Sequence, residues 1–174
     1  LADLGADVLK VESPGGDDTR AWGPPWLGEE SGYFLSVNRG KRSLAVDLKD
    51  PRGAEVVRRL AAQADVVVEN FKVGDLARYG LDYAAVAQAN PRVVYVSITG
   101  FGQTGPRARE PGYDAALQAL AGVMAMTGEE GRPPVKLPVA YVDVLTGLHA
   151  AVAAVAALRR VAVEGRGAHL DVSL

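Results

Sequence analysis

The chain has 174 residues, a formal net charge of −2, 48% hydrophobic and 23% charged residues, and no cysteine. At about 150 residues per domain this is one domain, long enough to bury a sizeable core. Zero cysteine excludes a disulfide framework, a cysteine-ligated zinc and a thiol nucleophile; a pI of about 5.7 argues against a general nucleic-acid binder, and a mean hydropathy of +0.04 against a disordered tail.

Leu1 to Gly5 reads as the last turn of something helical, and Gly167 to Leu174 as a strand in progress, so a portion of a longer polypeptide is expected. Ala6–Glu12 reads as a short strand ending in an acid. Ser13–Glu30, with Trp22 and Trp26, is dense enough in Gly and Pro to break both regular structures. Tyr33–Val37 is a brief apolar run before the basic stretch Asn38 to Arg42, and Ser43–Leu48 alternates as a strand does. Asp50-Pro51 opens a helix to about Gln63, Asp suiting the N-cap and Pro the first helical position. Ala64–Glu69 is a buried-type strand. Gly74–Ala89 is helical with a break near Gly80, and Asn90-Pro91 is a turn. Arg92–Thr99 is the clearest strand, followed by a helix over Tyr113–Met126 and a Gly/Pro loop to Pro138. A long Ala-rich helix covers about Val142–Val163; the apolar stretch Val139 to Val163, interrupted by Asp143, His149, Arg159 and Arg160, fits a buried helix better than a membrane span.

Strands alternating with helices imply βαβ units: an α/β fold with a Rossmann-like, mainly parallel sheet and flanking helices. Ligands of such sheets collect beyond the carboxyl ends of the strands, here Glu12-Ser13, Glu69-Asn70-Phe71 and Thr99-Gly100-Phe101. Gly100 to Gly105 matches G-x-G-x-x-G after a strand, but Pro106 follows at once and no helical period begins before Tyr113, so a dinucleotide site lacks its context and no NAD is expected. His149 and His169 form no metal-ligand spacing, no metal is expected, and there is no G-x-S-x-G elbow.

Asp143 opens the long apolar helix. As an N-cap it would be purely structural; as a carboxylate stabilised by a helix N-terminus it would be an ionised nucleophile suited to acyl transfer, since its acyl adduct is a reactive anhydride. Pattern alone leaves both readings open. Arg39, Lys41, Arg42, Lys49, Lys72 and Arg78 cluster near strand ends, either as solvated charges or as phosphate ligands, and Phe71 could pack on an adenine.

Taken together, L-G-A-D-V-L-K-V-E (4–12), N-R-G-K-R-S-L-A-V-D-L-K (38–49), A-D-V-V-V-E-N-F (64–71), N-P-R-V-V-Y-V-S-I-T-G-F-G (90–102), Y-V-D-V-L-T-G-L-H-A (141–150) and G-R-G-A-H-L-D-V-S-L (165–174) resemble the family III CoA-transferases, which include formyl-CoA transferase, the carnitine CoA-transferases and α-methylacyl-CoA racemase. The resemblance implies an incomplete large CoA-binding α/β domain over residues 1–174, lacking the first strand and the C-terminal small domain. It places Asp143 on the catalytic aspartate, which exchanges CoA through aspartyl anhydrides and an aspartyl-CoA thioester. It implies coenzyme A contacts at Val46, Asp47, Leu48, Lys49, Asn70, Phe71, Lys72 and Arg78, and beside the thioester at Pro111, Gly112, Tyr113 and Asp114. Partners would be an acyl-CoA and a carboxylic acid acceptor, with no nucleic acid or membrane, in a cytoplasmic protein whose full-length form is an interlocked homodimer. Racemases of the family carry His-Asp where this chain has Tyr113-Asp114; Tyr, with a pKa of about 10, is a poor proton carrier near neutrality, which favours transferase over racemase or epimerase. A non-catalytic CoA-binding module is the remaining alternative. Ser13 stands where some members have Arg, and Thr99 where some have Lys.

Overall fold

A computed structural model describes residues 1–174, and the chain falls into two units, Leu1–Val57 and Arg58–Leu174. In the first, V-L-K-V-E forms β1 (Val8–Glu12). The expected loop over 13–30 contains a 3-10 turn at Asp18–Ala21 and a hairpin that sequence did not reveal, β2 (Trp26–Leu27) with β3 (Glu30–Ser31). The apolar run at 33–37 becomes α1 (Gly32–Asn38), capped by Ser31, whose hydroxyl accepts the Phe34 N–H at 2.9 Å. β4 (Lys41–Ala45) pairs with β1 in parallel from Val8↔Lys41 to Glu12↔Ala45.

β4 ends three residues earlier than the alternation suggested. Asp47 Oδ1 accepts the Lys49 N–H at 2.8 Å, an Asx-type turn that takes the backbone out of the ladder. At the carboxyl end of β1 the buried Glu12 carboxylate receives Ser43 Oγ at 2.9 Å and Arg20 Nη2 at 3.2 Å. Burial disfavours its charge, but Arg20, Ser43 and Lys10 outweigh that and hold its pKa below the usual value. Arg20 also lies over the Phe34 ring at 3.9 Å, and Lys10 pairs with Asp17, so the strand end is tied to the turn beside it. Asp50 accepts the Arg52 N–H at 2.9 Å and caps α2 (Pro51–Ala61), as expected.

In the second unit, β5 (Val66–Glu69), the 3-10 turn Asp75–Tyr79, α3 (Tyr83–Ala89) and β6 (Val94–Thr99) follow in order. The break foreseen at Gly80 is a left-handed residue with φ of 63°, a conformation glycine takes without strain. Next come α4 (Asp114–Leu120), α5 (Tyr141–Glu164) and β7 (Ala168–Ser173). α4 is shorter than the expected helix to Met126, because the chain leaves it through turns and a left-handed Gly122. The sheet is parallel throughout, in the order β5-β6-β7.

β6 is central and buried on both faces, which explains its apolar residues on either side, Val94, Tyr95, Val96 and Ile98. Val94 and Val96 pack against Ala150, Ala154 and Val161 of α5, with Leu170 and Val172 of β7 beside them. On the other face Val93 and Tyr95 pack against Ala61 and Val86. α5 is long and apolar enough to cross a bilayer by length and composition, and it lays its small residues on the sheet. The expectation of a buried helix holds on that face only: Val144, Leu148, Val152, Val155 and Val163 are exposed. His169 is a packing residue, stacked on Tyr83 at 4.5 Å between ring centres and hydrogen-bonded to Ser97 Oγ at 2.9 Å.

Tyr95 is 1% exposed and its hydroxyl donates to the Leu81 carbonyl at 2.6 Å. Tyr95→Phe leaves that buried carbonyl unpaired and is expected to destabilise the protein by about 1–2 kcal/mol, read as a lower urea midpoint at unchanged slope.

Candidate active site

The carboxyl ends of β5 and β6 are joined by side chains. Asn70, leaving β5, donates its amide to the Ile98 carbonyl at 2.6 Å, and Glu69 Oε2 accepts the Phe71 N–H at 2.8 Å, so the turn carrying Asn70, Phe71 and Lys72 is fixed to the sheet. Phe71 is 45% exposed, an open apolar surface. Arg78 lies on the following turn with its guanidinium 4.8 Å from the centre of the Tyr79 ring.

After β6 the segment Gly100 to Gly105 enters a loop rather than a helix; the next helix is α4. Thr99 Oγ1 accepts the Gly102 N–H at 2.9 Å and Asp171 Oδ2 the Gln103 N–H at 2.8 Å. The first of these glycines serves a close approach of two backbones. A Cβ on Gly100 would stand 2.5 Å from the Gly112 Cα, and one on Gly112 would stand 2.4 Å from the Gly100 Cα. Backbone thus rests on backbone, and Pro111 to Asp114 is laid against the end of the central strand.

α5 begins at Tyr141 with Ala140 at the N-cap position, which offers no capping side chain. Asp143 is therefore the third residue of the helix and not its cap, contrary to one of the two sequence readings. The cap comes from α4. Asp114 Oδ1 accepts the Val142 N–H at 2.8 Å and the Asp143 N–H at 3.3 Å, while Oδ2 accepts the Gln118 amide at 2.6 Å. Gln118 is fully buried; it also donates to the Val139 carbonyl at 3.3 Å and accepts the Leu137 N–H at 2.9 Å, which fixes the chain entering α5.

The Asp143 side chain is left exposed beside this network. Partial desolvation first, and the Asp114 carboxylate second, push its pKa above the ordinary aspartate value. The shift runs opposite to the expectation that the helix N-terminus stabilises its charge. Sequence reading missed Gln118; its one visible signal is the Asp-x-x-x-Gln spacing, which places both residues on one helix face.

The structure thus brings Gly112, Asp114 and Asp143 into one connected arrangement, joined through Gly100 and Ile98 to Asn70. Pro111 and Tyr113 flank it, and Tyr113 is 76% exposed. Both Asp114 carboxylate oxygens accept hydrogen bonds within this network. In the first unit Val46 and Asp47 line an open depression of about 360 Å³ with Asp50, Arg52 and Gly53, and Leu48 and Lys49 follow them in the chain. A Cβ on Gly53 would stand 2.2 Å from the Asp47 carbonyl oxygen, so α2 approaches that turn as only glycine permits.

The sequence model for CoA-transferase family III matches residues 1–174. The chain belongs to CoA-transferase family III. It is 51% identical to succinate–glutarate CoA-transferase of Agrobacterium fabrum, over all of this chain and 45% of that one. It is 50% identical to human succinyl-CoA:glutarate CoA-transferase, over all of this chain and 40% of that one. A crystal structure of a CaiB/BaiF family protein from Brucella suis superposes with a TM-score of 0.95 at 52% identity, over 98% of this chain and 46% of that one. The chain therefore spans less than half the length of these family III relatives.

In this family III chain the Gly100–Gly112 contact is the junction between strand end and candidate site. Gly112→Ala forces the two backbones apart and is expected to destabilise the full-length protein by about 1–3 kcal/mol in urea unfolding; an unchanged midpoint refutes the contact.

Proposed function

We propose that the full-length protein is a CoA-transferase that moves CoA from an acyl-CoA thioester to a carboxylic acid, with Asp143 as nucleophile. The observation that carries this is an exposed carboxylate of raised pKa at the start of α5, beside the Pro111 to Asp114 segment at the carboxyl end of a parallel sheet. Membership of family III supports the reaction class, and the relatives near 50% identity make succinate and glutarate the first acids to assay.

A carboxylate is a weak nucleophile, and holding it without strong hydrogen bonds raises its reactivity. Asp143 attacks the acyl carbonyl; the C–S bond breaks, giving an aspartyl–acyl anhydride and CoA thiolate. The thiolate attacks the aspartyl carbonyl, releasing the first acid and leaving an aspartyl-CoA thioester. The acceptor carboxylate displaces the thiolate to form a second anhydride, and thiolate attack on its acceptor carbonyl releases the new acyl-CoA and restores Asp143. One thioester is consumed and one formed, so no external energy source is required.

In this reading the CoA contacts are Val46, Asp47, Leu48, Lys49, Asn70, Phe71, Lys72 and Arg78, with Pro111, Gly112, Tyr113 and Asp114 beside the thioester. Lys49, Lys72 and Arg78 supply positive charge for phosphates, and Phe71 an apolar face. Cytoplasmic action and a homodimeric full-length enzyme belong to the same reading and rest on the family resemblance.

Incubating the full-length enzyme with succinyl-CoA without acceptor, followed by peptide mass analysis, is expected to find an acyl or CoA adduct on Asp143 that hydroxylamine removes. Asp143→Asn is expected to lower exchange by about 10³-fold or more while retaining CoA binding. Unchanged exchange in that variant assigns the chemistry elsewhere. Because only the ionised form attacks, kcat/KM should rise with pH through an acid limb above the ordinary aspartate range near 3.9. A limb at or below that value contradicts the raised pKa.

A further inference from the structure

We infer that Asp114 is a positioning residue for Asp143: its carboxylate occupies the first free N–H groups of α5, fixing the helix start and keeping those donors away from the neighbouring Asp143 carboxylate. This rests on the reading of Asp143 as nucleophile.

The geometry has three parts. Asp114 is buried, 9% exposed, and its oxygens accept three hydrogen bonds, two from the α5 backbone and one from Gln118. The carboxylate that would otherwise cap α5 from within its first turn is that of Asp143, and Ala140 offers nothing in its place. With Asp114 in place, the helix donors are satisfied by a side chain that itself takes no part in bond making. Asp114 is in turn held from two sides, by the Gln118 amide and by the Gly100–Gly112 backbone contact two residues before it. A displacement of the central strand end is thereby passed to the start of α5.

Few other charges bear on Asp143. Asp114 is the one ionisable residue of α4, and the faces of β6 and β7 packed against α5 are aliphatic. On α5 itself Tyr141 and His149 lie nearest in sequence, and the His149 ring donates from Nδ1 to its own helix at the Leu145 carbonyl. Asp114 is thus the neighbouring charge that acts on Asp143.

Two substitutions in the full-length enzyme separate the two effects. Asp114→Ala removes both cap and charge; kcat is expected to fall by about 10–100-fold, with KM for acyl-CoA changed less than about threefold. Asp114→Asn keeps an acceptor oxygen for the Val142 N–H, gives up the acceptor that faces the Gln118 amide, and removes the charge. It is expected to recover most of kcat while the acid limb of kcat/KM moves to lower pH by a few tenths to about one unit, since the ionised Asp143 no longer faces a like charge. A merely structural role would leave that limb in place. If Asp114→Ala does not fold, Asp114→Asn decides alone: an unmoved limb in a folded variant overturns the inference, as does wild-type kcat in folded Asp114→Ala. Failure of the parent reading looks different, because the wild-type enzyme would then carry no adduct on Asp143 whatever either variant does.

Discussion

A helix of 24 residues leaves several backbone N–H groups unpaired at its start, and in this chain their acceptor comes from another helix. Hydrogen bonds from backbone donors to a carboxylate contribute about 1.5–3 kcal/mol each, more than a neutral cap provides. Asp114 must therefore sit deep enough to reach α5 and be held there. Gln118 does the second, with its carbonyl and amide fully used on Leu137, Val139 and Asp114. Gly100, after β6, and Gly112 do the first, since a Cβ at either would stand within 2.5 Å of the other's Cα and push the segment outward.

This dependence makes the central strand the reference for the site. β6 is buried on both faces and paired on both edges, so its carboxyl end is among the least displaceable points of the unit. Asn70 is anchored to it through the Ile98 carbonyl, Gly112 through Gly100, and the following loop through Thr99 and Asp171. Groups far apart in sequence thus acquire fixed separations from one strand end. The exposed ion pairs, such as Arg42 with Asp7, involve side chains about two-thirds or more open to water and add little to that rigidity.

What the sequence made legible follows from how local each signal is. β6, the Asp50-Pro51 helix start and the break at Gly80 were readable because strand burial, capping and positive φ act within a few residues. The end of β4 was misplaced because Val46 and Leu48 continue the alternation while Asp47 bonds its own backbone two residues on. Asp143 was offered as a cap because Asp is the favoured residue at a helix start. The true cap lies 28 residues from the N–H it serves, and no spacing rule within one helix reports it. The G-x-G-x-x-G string was discounted for its missing helix, but the use of its first glycine as a contact for Gly112 depends on a segment that sequence alone does not bring near.

Separating the cap from the reacting carboxylate has a chemical consequence. In the proposed cycle Asp143 passes from carboxylate to anhydride to thioester and back, losing and regaining its negative charge in each turnover. Were Asp143 also the cap, each acylation would strip the helix start of its charged acceptor, and the nucleophile's own position would change as it reacted. The helix would also draw the carboxylate down in pKa, weakening it as a nucleophile. Asp114 carries the cap without entering the chemistry. In the proposed cycle the start of α5 thus keeps one set of hydrogen bonds through every intermediate, while Asp143 stays exposed and free to change its charge.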